Sequence, residues 1–182
     1  MHTSRTIRSA AALCGAAALS MSLVACGGSN SATGSDDAAI IRVPGTEPQQ
    51  GLIPAMTNEN GGGRVVDMLY SGLVYYDAEG EVHNEMAESI DKEGDKTYKI
   101  TLKPDITFSD GTPVTAATFV DTWNYAVANE QLNESFFSSI KGYSEGVEEM
   151  EGLKVLDDLT FTIELTQPES DFPSRLGYNA YF

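Results

Sequence analysis

The chain has 182 residues, a length that fits one domain or slightly more. It carries 27 acidic and 11 basic side chains, a net charge of −16 at pH 7, so nucleic acid is not expected as a partner, because phosphate binding needs a basic surface. Its two cysteines, Cys14 and Cys26, both lie in the first 26 residues, and its two histidines are far apart. We therefore expect no disulfide framework, no metal site and no cofactor.

The N-terminus has the pattern of an export signal. Arg5 and Arg8 form a positive start, and Ala10–Val24 is an apolar stretch that is short for a membrane span. It ends in Leu23–Gly27, the sequence LVACG, which resembles the bacterial lipobox. That resemblance implies cleavage before Cys26, acylation of its sulfur and a lipid anchor, since two or more acyl chains bind membranes stably. The alternative is an ordinary secretory signal with a chance cysteine.

The next segments predict a tether, a strand and a helix. Residues 26–39 contain few apolar side chains, a composition typical of a flexible tether. Ile40–Val43 favours a short strand, and a loop follows. A Gly-rich stretch, Asn60–Gly63, precedes an amphipathic helix predicted over Arg64–Leu73. Such a loop can bind phosphate, but the G-x-G-x-x-G and G-K-[ST] patterns are absent from the sequence, so no phosphate site is expected.

The central stretch predicts strand, turn, extended segment, turn and helix. Asn84–Glu88, before it, predicts irregular chain or one helical turn. Thr97–Leu102 alternates between apolar and polar residues, as a strand with one buried face does. Ile106–Phe108 predicts a second extended segment, followed by a Gly- and Pro-containing turn. Thr115 is a suitable N-cap for the helix. The apolar stripe of that helix is Phe119, Trp123, Ala126 and Val127.

The last third of the chain predicts an acidic loop and a second hairpin. Gly142–Gly152 is rich in glutamate, and we expect an exposed acidic loop there rather than a metal cluster, because nothing else in the sequence converges on it. Val155-Leu156 and the alternating run Thr160–Thr166 predict two strands around Asp157-Asp158. Phe172–Leu176 predicts the start of a further helix.

Several of these segments resemble the extracytoplasmic solute-binding lipoproteins of peptide-type ABC importers, the oligopeptide- and dipeptide-binding proteins. The closest match comprises Tyr98–Lys103 (YKITLK), Phe108–Ala116 (FSDGTPVTA) and Phe119–Trp123. The second hairpin also resembles the family pattern, and Tyr70–Gly80 does so with Ser71 in place of the usual Glu. The resemblance covers the chain from Ile40 onwards.

This resemblance implies an α+β, periplasmic-binding-protein-like fold of type II, the peptide-binding class, with only the N-terminal part and its accessory subdomain present. Because the hinge and second lobe of the family would then be missing, we expect that the chain alone does not clamp a peptide. The implied divisions are a lipoprotein signal peptide (1–25), a tether (26–39), the first strand and loop of lobe 1 (40–56), the accessory α+β subdomain (57–170) and the start of the return into lobe 1 (171–182).

The implied function is binding without chemistry. A protein of this family captures a peptide or other small solute outside the membrane and delivers it to an ABC permease with its ATPase subunits. The resemblance implies a lipid-anchored monomer on the extracytoplasmic face of the membrane, with Thr46, Glu47 and Pro48 near the ligand. A purely structural turn is the alternative for these three residues. The alternative for the chain is a truncated surface lipoprotein that acts as scaffold or adhesin, or a non-functional remnant.

An enzyme is not expected. Ser109, Asp110 and His83 are the only parts of a Ser-His-Asp set, and the sequence has no G-x-S-x-G nucleophile elbow. Asp110-Gly111 is better explained as a turn. We therefore predict no catalytic residue.

Overall fold

The computed structural model of the chain describes Arg42 and residues 44–182. Cys26, the export signal and the tether lie outside the described residues, as do Ile40, Ile41 and Val43 of the predicted first strand. The divisions that the resemblance implies therefore stay predictions. Within the described residues, no helix has the length and apolar character that crossing a membrane requires.

Residues 44–182 contain three α-helices and six strands, in agreement with the expected α+β class. The helices are α1 (Asn60–Leu69), α2 (Ala116–Ala128) and α3 (Phe172–Arg175), with 3₁₀ turns at Pro54–Met56, Glu134–Phe137 and Asn179–Tyr181. The strands are β1 (Val74–Tyr76), β2 (Val82–Asn84), β3 (Ala87–Glu93), β4 (Thr97–Leu102), β5 (Leu153–Asp157) and β6 (Thr160–Glu164). Strands β1 and β2 pair with each other, and the other four form an antiparallel sheet in the order β3-β4-β6-β5.

Strand β4 lies at the centre of the larger sheet and confirms the predicted strand. Its Tyr98, Ile100 and Leu102 are all buried, as alternation on a pleated strand requires. Ile100 lies opposite Phe161 of β6, which is also fully buried. The predicted second hairpin is confirmed by the pairing of β5 with β6.

Helix α2 covers the buried face of this sheet. It begins after Thr115, as predicted, and Thr115 forms a reciprocal capping box with Thr118: the Thr115 N–H donates to Thr118 Oγ1 at 3.0 Å, and the Thr118 N–H donates back to Thr115 Oγ1 at 3.4 Å. The predicted apolar stripe is confirmed by the burial of Phe119, Trp123, Ala126 and Val127.

Trp123 is the centre of the hydrophobic core. It is fully buried, with aromatic neighbours at ring-centroid distances of 5.7 Å for Phe161, 5.9 Å for Phe137 and 5.5 Å for Tyr181. Its indole Nε1–H donates to the Tyr181 carbonyl at 3.1 Å. Phe172 of α3 is buried in the same core cluster. The last residues of the chain therefore stabilise the same core as the sheet and α2.

Three predicted elements differ from the structure. Helix α1 begins four residues earlier and ends four residues earlier than the predicted Arg64–Leu73, because the Glu59 side chain caps the glycines at its start. Ile106–Phe108 forms only an isolated antiparallel bridge, between Thr107 and Pro113, rather than a full strand, because the chain turns back after Phe108, whose N–H donates to the Thr112 carbonyl. The irregular segment predicted over Asn84–Glu88 is wrong at both ends: β2 ends at Asn84 and β3 begins at Ala87, a strand whose polar residues at the sheet edge obscure any apolar alternation.

Candidate functional site

The loop that contains Thr46, Glu47 and Pro48 lies beside the N-terminal end of helix α1. Thr46 and Glu47 are exposed, and Pro48 is half-buried. A groove of about 760 Å³ is lined by residues 44–46 on one side and by α1 on the other. Of the three residues singled out by the family resemblance, Thr46 lines this groove, whereas Glu47 and Pro48 are not part of its lining. Residues 44–49 are called the N-terminal loop.

The wall of the groove that α1 provides is mostly apolar, with one charge of each sign. It consists of Asn60, Gly61, Arg64, Val65, Asp67 and Met68. Partial desolvation there raises the pKa of the Asp67 carboxyl above its ordinary value. Met68 is 75% exposed, so the groove presents a large apolar side chain to solvent. This mixture suits a solute with both apolar and polar groups.

Glu59 occupies the position where an anion would bind at the start of α1. Its Oε2 accepts the Gly61 N–H at 2.6 Å, and its Oε1 accepts the Gly62 N–H at 2.8 Å. Oε1 also accepts the Gln49 N–H at 3.2 Å. Partial burial alone would favour the neutral carboxyl group of Glu59, but the three N–H donors stabilise the charged form more strongly. The pKa of Glu59 therefore lies below its ordinary value of 4.5. The N–H groups of the Gly-rich stretch are therefore used by a side chain, which agrees with the expectation of no phosphate site.

Gly61 allows the N-terminal loop to approach the helix closely. A Cβ at this position would lie 2.4 Å from Thr46 Oγ1 and 2.6 Å from the Thr46 carbonyl oxygen. At Gly63, two residues further along α1, the nearest atom would be 4.0 Å away, on Asn179. The glycine at position 61 is thus required by the contact with Thr46, whereas the glycine at position 63 is not.

A buried polar network fixes the segment between the N-terminal loop and α1. Asn133 is 4% exposed, and its Nδ2 donates to the Thr57 carbonyl at 2.8 Å. Its backbone N–H donates to the Ala55 carbonyl at 2.9 Å. Asn179 Nδ2 donates to the same Thr57 carbonyl at 3.1 Å. These bonds attach the segment to the core that contains Trp123.

The residues of the hypothetical Ser-His-Asp set make other contacts. Asp110 accepts the Thr112 N–H at 2.9 Å, which closes the expected turn. His83 Nε2 lies 2.7 Å from Asp77 Oδ2 and its ring stacks on Tyr75 in the β1–β2 hairpin. His83 and Asp110 are thus each engaged in a local contact of their own.

The acidic loop over Gly142–Gly152 is exposed at Glu148 and Glu149, as predicted. Glu151 pairs with Lys141 at 2.8 Å, and this pairing lowers the pKa of Glu151. Among the described residues no group of three His, Cys, Asp or Glu side chains could hold a metal ion.

Sequence reasoning missed Glu59, Gly61 and Asn133. An acidic residue two positions before a run of glycines, as Glu59 is before Gly61, is a usable signal for a helix cap, because free N–H groups at a helix start attract carboxylates. The roles of Gly61 and Asn133 depend on contacts with residues far away in the sequence, and no local pattern reveals them.

Residues 81–181 match the family model of the bacterial extracellular solute-binding proteins, family 5, in its middle region. The match covers more than half of the chain, and the chain belongs to this family. Its members are extracellular binding proteins for solutes, in agreement with the resemblance seen in the sequence.

Particular relatives of the chain are oligopeptide-binding proteins. The oligopeptide-binding protein OppA of Bacillus subtilis is 30% identical over 146 residues, which are 75% of this chain and 26% of that protein. The structure of Haemophilus influenzae OppA in complex with the peptide RPPGFSPFR matches with a TM-score of 0.70 and 30% identity, over 75% of this chain and 28% of that one.

A second solved structure is also similar to the chain in fold and sequence. The substrate-binding domain of an oligopeptide ABC transporter from Bacillus anthracis matches with a TM-score of 0.64 and 29% identity, over 71% of this chain and 27% of that one. These likenesses confirm the expected peptide-binding class of periplasmic-binding-protein-like fold. The chain spans about a quarter of the length of the relatives it matches.

Proposed function

We propose that the chain belongs to the substrate-binding component of an ABC importer, which captures peptides outside the membrane and delivers them to the permease and its ATPase subunits. The observation that carries this proposal is the structural likeness to an oligopeptide-binding protein in complex with a nonapeptide, at 30% identity. Binding and release then need no catalytic residue, because transport is driven by the partner subunits.

Thr46, Glu47 and Pro48 are the residues we assign to the solute. Three features support this assignment: Thr46 lines a groove of about 760 Å³, the same residue packs against Gly61 of α1, and the groove wall combines apolar and charged side chains. Exposed backbone groups in such a loop can bond a peptide backbone while the groove accepts side chains of varied shape.

Cys26 is proposed to be the lipid attachment site of a monomeric protein, and the membrane anchor would hold that protein beside its permease. The family's extracellular description supports a location outside the cytoplasm. The relatives, which are named as binding proteins, give no support to the alternative of a scaffold or adhesin.

Peptide retention tests the proposed function. The protein that contains this chain, purified at its native length from bacterial membranes, is mixed with tri-, tetra- and pentapeptides, and retained peptides are identified by native mass spectrometry. We expect saturable retention that is weakened in Gly61→Ala, because a methyl group there pushes Thr46 off the helix. Gly63→Ala introduces the same methyl group where the nearest atom is 4.0 Å away and is the matched control, with unchanged retention. Retention of no peptide by the unmodified native-length protein would contradict the proposal.

The lipid anchor is tested separately. Cys26→Ala should move the protein from the membrane fraction to the soluble extracytoplasmic fraction and abolish incorporation of labelled palmitate. Cys14→Ala should change neither result. A Cys26→Ala protein that still incorporates labelled palmitate and stays in the membrane fraction would contradict the assignment.

A further inference from the structure

The N-terminal loop is attached to the rest of the protein by very few polar contacts. In the part of the chain that the structure describes, residues 44–50 make one hydrogen bond, from the Gln49 N–H to Glu59 Oε1 at 3.2 Å. Thr46 also packs closely against Gly61 of α1, a van der Waals contact. The geometry of Thr46, Glu47 and Pro48 therefore depends on the position of one carboxylate.

That carboxylate is itself held rigidly. Both Glu59 oxygens accept N–H groups of the first turn of α1, at 2.6 Å from Gly61 and 2.8 Å from Gly62. A charged carboxylate at the start of a helix is further stabilised by the helix dipole. Glu59 thus links α1 to the N-terminal loop, because its Oε1 atom accepts N–H groups from both Gly62 of α1 and Gln49 of the loop.

From this arrangement we infer that Glu59 is a positioning residue for solute binding. It does not touch the solute. It holds the N-terminal loop against α1 through Gln49, so that Thr46–Pro48 keep one conformation before a peptide arrives. A preorganised loop binds more tightly because less conformational freedom is lost on binding. This inference rests on the proposed function, for it assigns a role at the same site.

The Glu59→Asp variant separates this role from helix capping. Aspartate is a preferred N-cap residue, so it still accepts N–H groups of the first turn. Its carboxylate lies about 1.5 Å further back because one methylene is missing, which takes it out of reach of Gln49. A residue with only a structural role would therefore tolerate this change. Glu148→Asp, at an exposed site in the acidic loop, is the matched control.

Two measurements on the protein purified at its native length test the inference. The first is the dissociation constant, by calorimetry, of the peptide that the unmodified chain retains most strongly from the mixture of tri- to pentapeptides. We expect Glu59→Asp to raise this dissociation constant about tenfold with an unchanged melting temperature. Glu148→Asp should leave the dissociation constant unchanged. Equal affinity in Glu59→Asp and the unmodified chain would overturn the inference.

The second measurement is hydrogen exchange of the Gln49 amide by nuclear magnetic resonance, without peptide. Exchange should be faster in Glu59→Asp than in the unmodified chain, while the Gly61 and Gly62 amides keep their protection. An unchanged Gln49 rate would overturn the inference. If the unmodified chain binds no peptide, the proposed function fails, and this exchange rate still decides whether Glu59 holds the loop.

Discussion

The core around Trp123 and the region from residue 44 to Leu69 are stabilised in different ways. In the core, large aromatic and aliphatic side chains from α2, the sheet and residues 172–181 are buried together. Along α1, Val66 is fully buried, whereas Met68 and Leu69 are 75% and 62% exposed. The second region has few buried apolar side chains, such as Ala55 and Val66, and is also held in place by polar contacts from Glu59, Asn133 and Asn179.

This difference matters for function. A region with few buried apolar contacts opens locally at a lower free energy than a packed core. Loops that bind ligands commonly belong to such regions, on a scaffold that stays rigid. The core therefore acts as the scaffold, and the proposed binding loop is held on it by few contacts.

The largest expected effect is in the core. Trp123→Ala should lower the free energy of unfolding by about 3–5 kcal/mol, because it leaves a cavity and removes the hydrogen bond to the Tyr181 carbonyl. Chemical denaturation followed by circular dichroism measures this change. Tyr125→Ala, on the exposed side of the same helix, should stay within about 0.5 kcal/mol of the unmodified chain. Equal effects of the two substitutions would contradict the assigned buried face of α2.

A smaller loss of stability is expected from a substitution at the junction of the two regions. Asn133→Ala should cost about 2 kcal/mol, because its buried side chain bonds the Thr57 carbonyl. Hydrogen exchange should then rise over residues 53–57 and stay low in β4 and β6. Asn58→Ala, at an exposed position next to Thr57, is the control, with little change in either region. A uniform rise across the sheet would show that Asn133 belongs to the core instead.

The cap of α2 contributes less. Thr115→Ala should cost about 1 kcal/mol, because the Thr118 N–H loses its side-chain acceptor at the start of the helix. The melting temperature reports the change. Thr122→Ala, exposed within the same helix, should be neutral or slightly stabilising, since alanine has the higher helix propensity. A neutral Thr115→Ala would show that the capping box adds nothing to stability.

The smallest effect concerns the pH dependence of the polar region. The folded-state pKa of Glu59 lies below its ordinary value of 4.5, so its ionised form stabilises the folded state. That contribution is complete above pH 4.5 and is lost as the pH falls through the lowered pKa. Glu59→Gln should therefore have a lower melting temperature than the unmodified chain at pH 7, and the difference should shrink below pH 4.5. A difference that is constant with pH would contradict an ionised cap.

The core was predictable from the sequence because apolar side chains repeat there with the periods of a strand and a helix. Thr97–Leu102, the stripe of α2 and the hairpin of β5 and β6 all follow local patterns. The start of α1 was not predictable in this way, because glycine is a poor helix former and the cap provided by Glu59 outweighs that tendency.

The candidate site was predictable only in part. The family resemblance pointed to Thr46, Glu47 and Pro48, but no periodicity in the sequence did. The seat of Thr46 on Gly61 and the bond from Asn133 to Thr57 join residues that are distant in the sequence. Such contacts depend on the complete fold, and a local pattern does not contain them.

Hydrogen–deuterium exchange of the protein at its native length, with and without a retained peptide, compares the two regions in one experiment. We expect peptide to slow exchange over residues 44–49 and the first turn of α1, while β4 and β6 exchange slowly in both states. Protection that appears only outside these residues, or no change on adding a peptide that native mass spectrometry shows to be retained, would contradict this expectation.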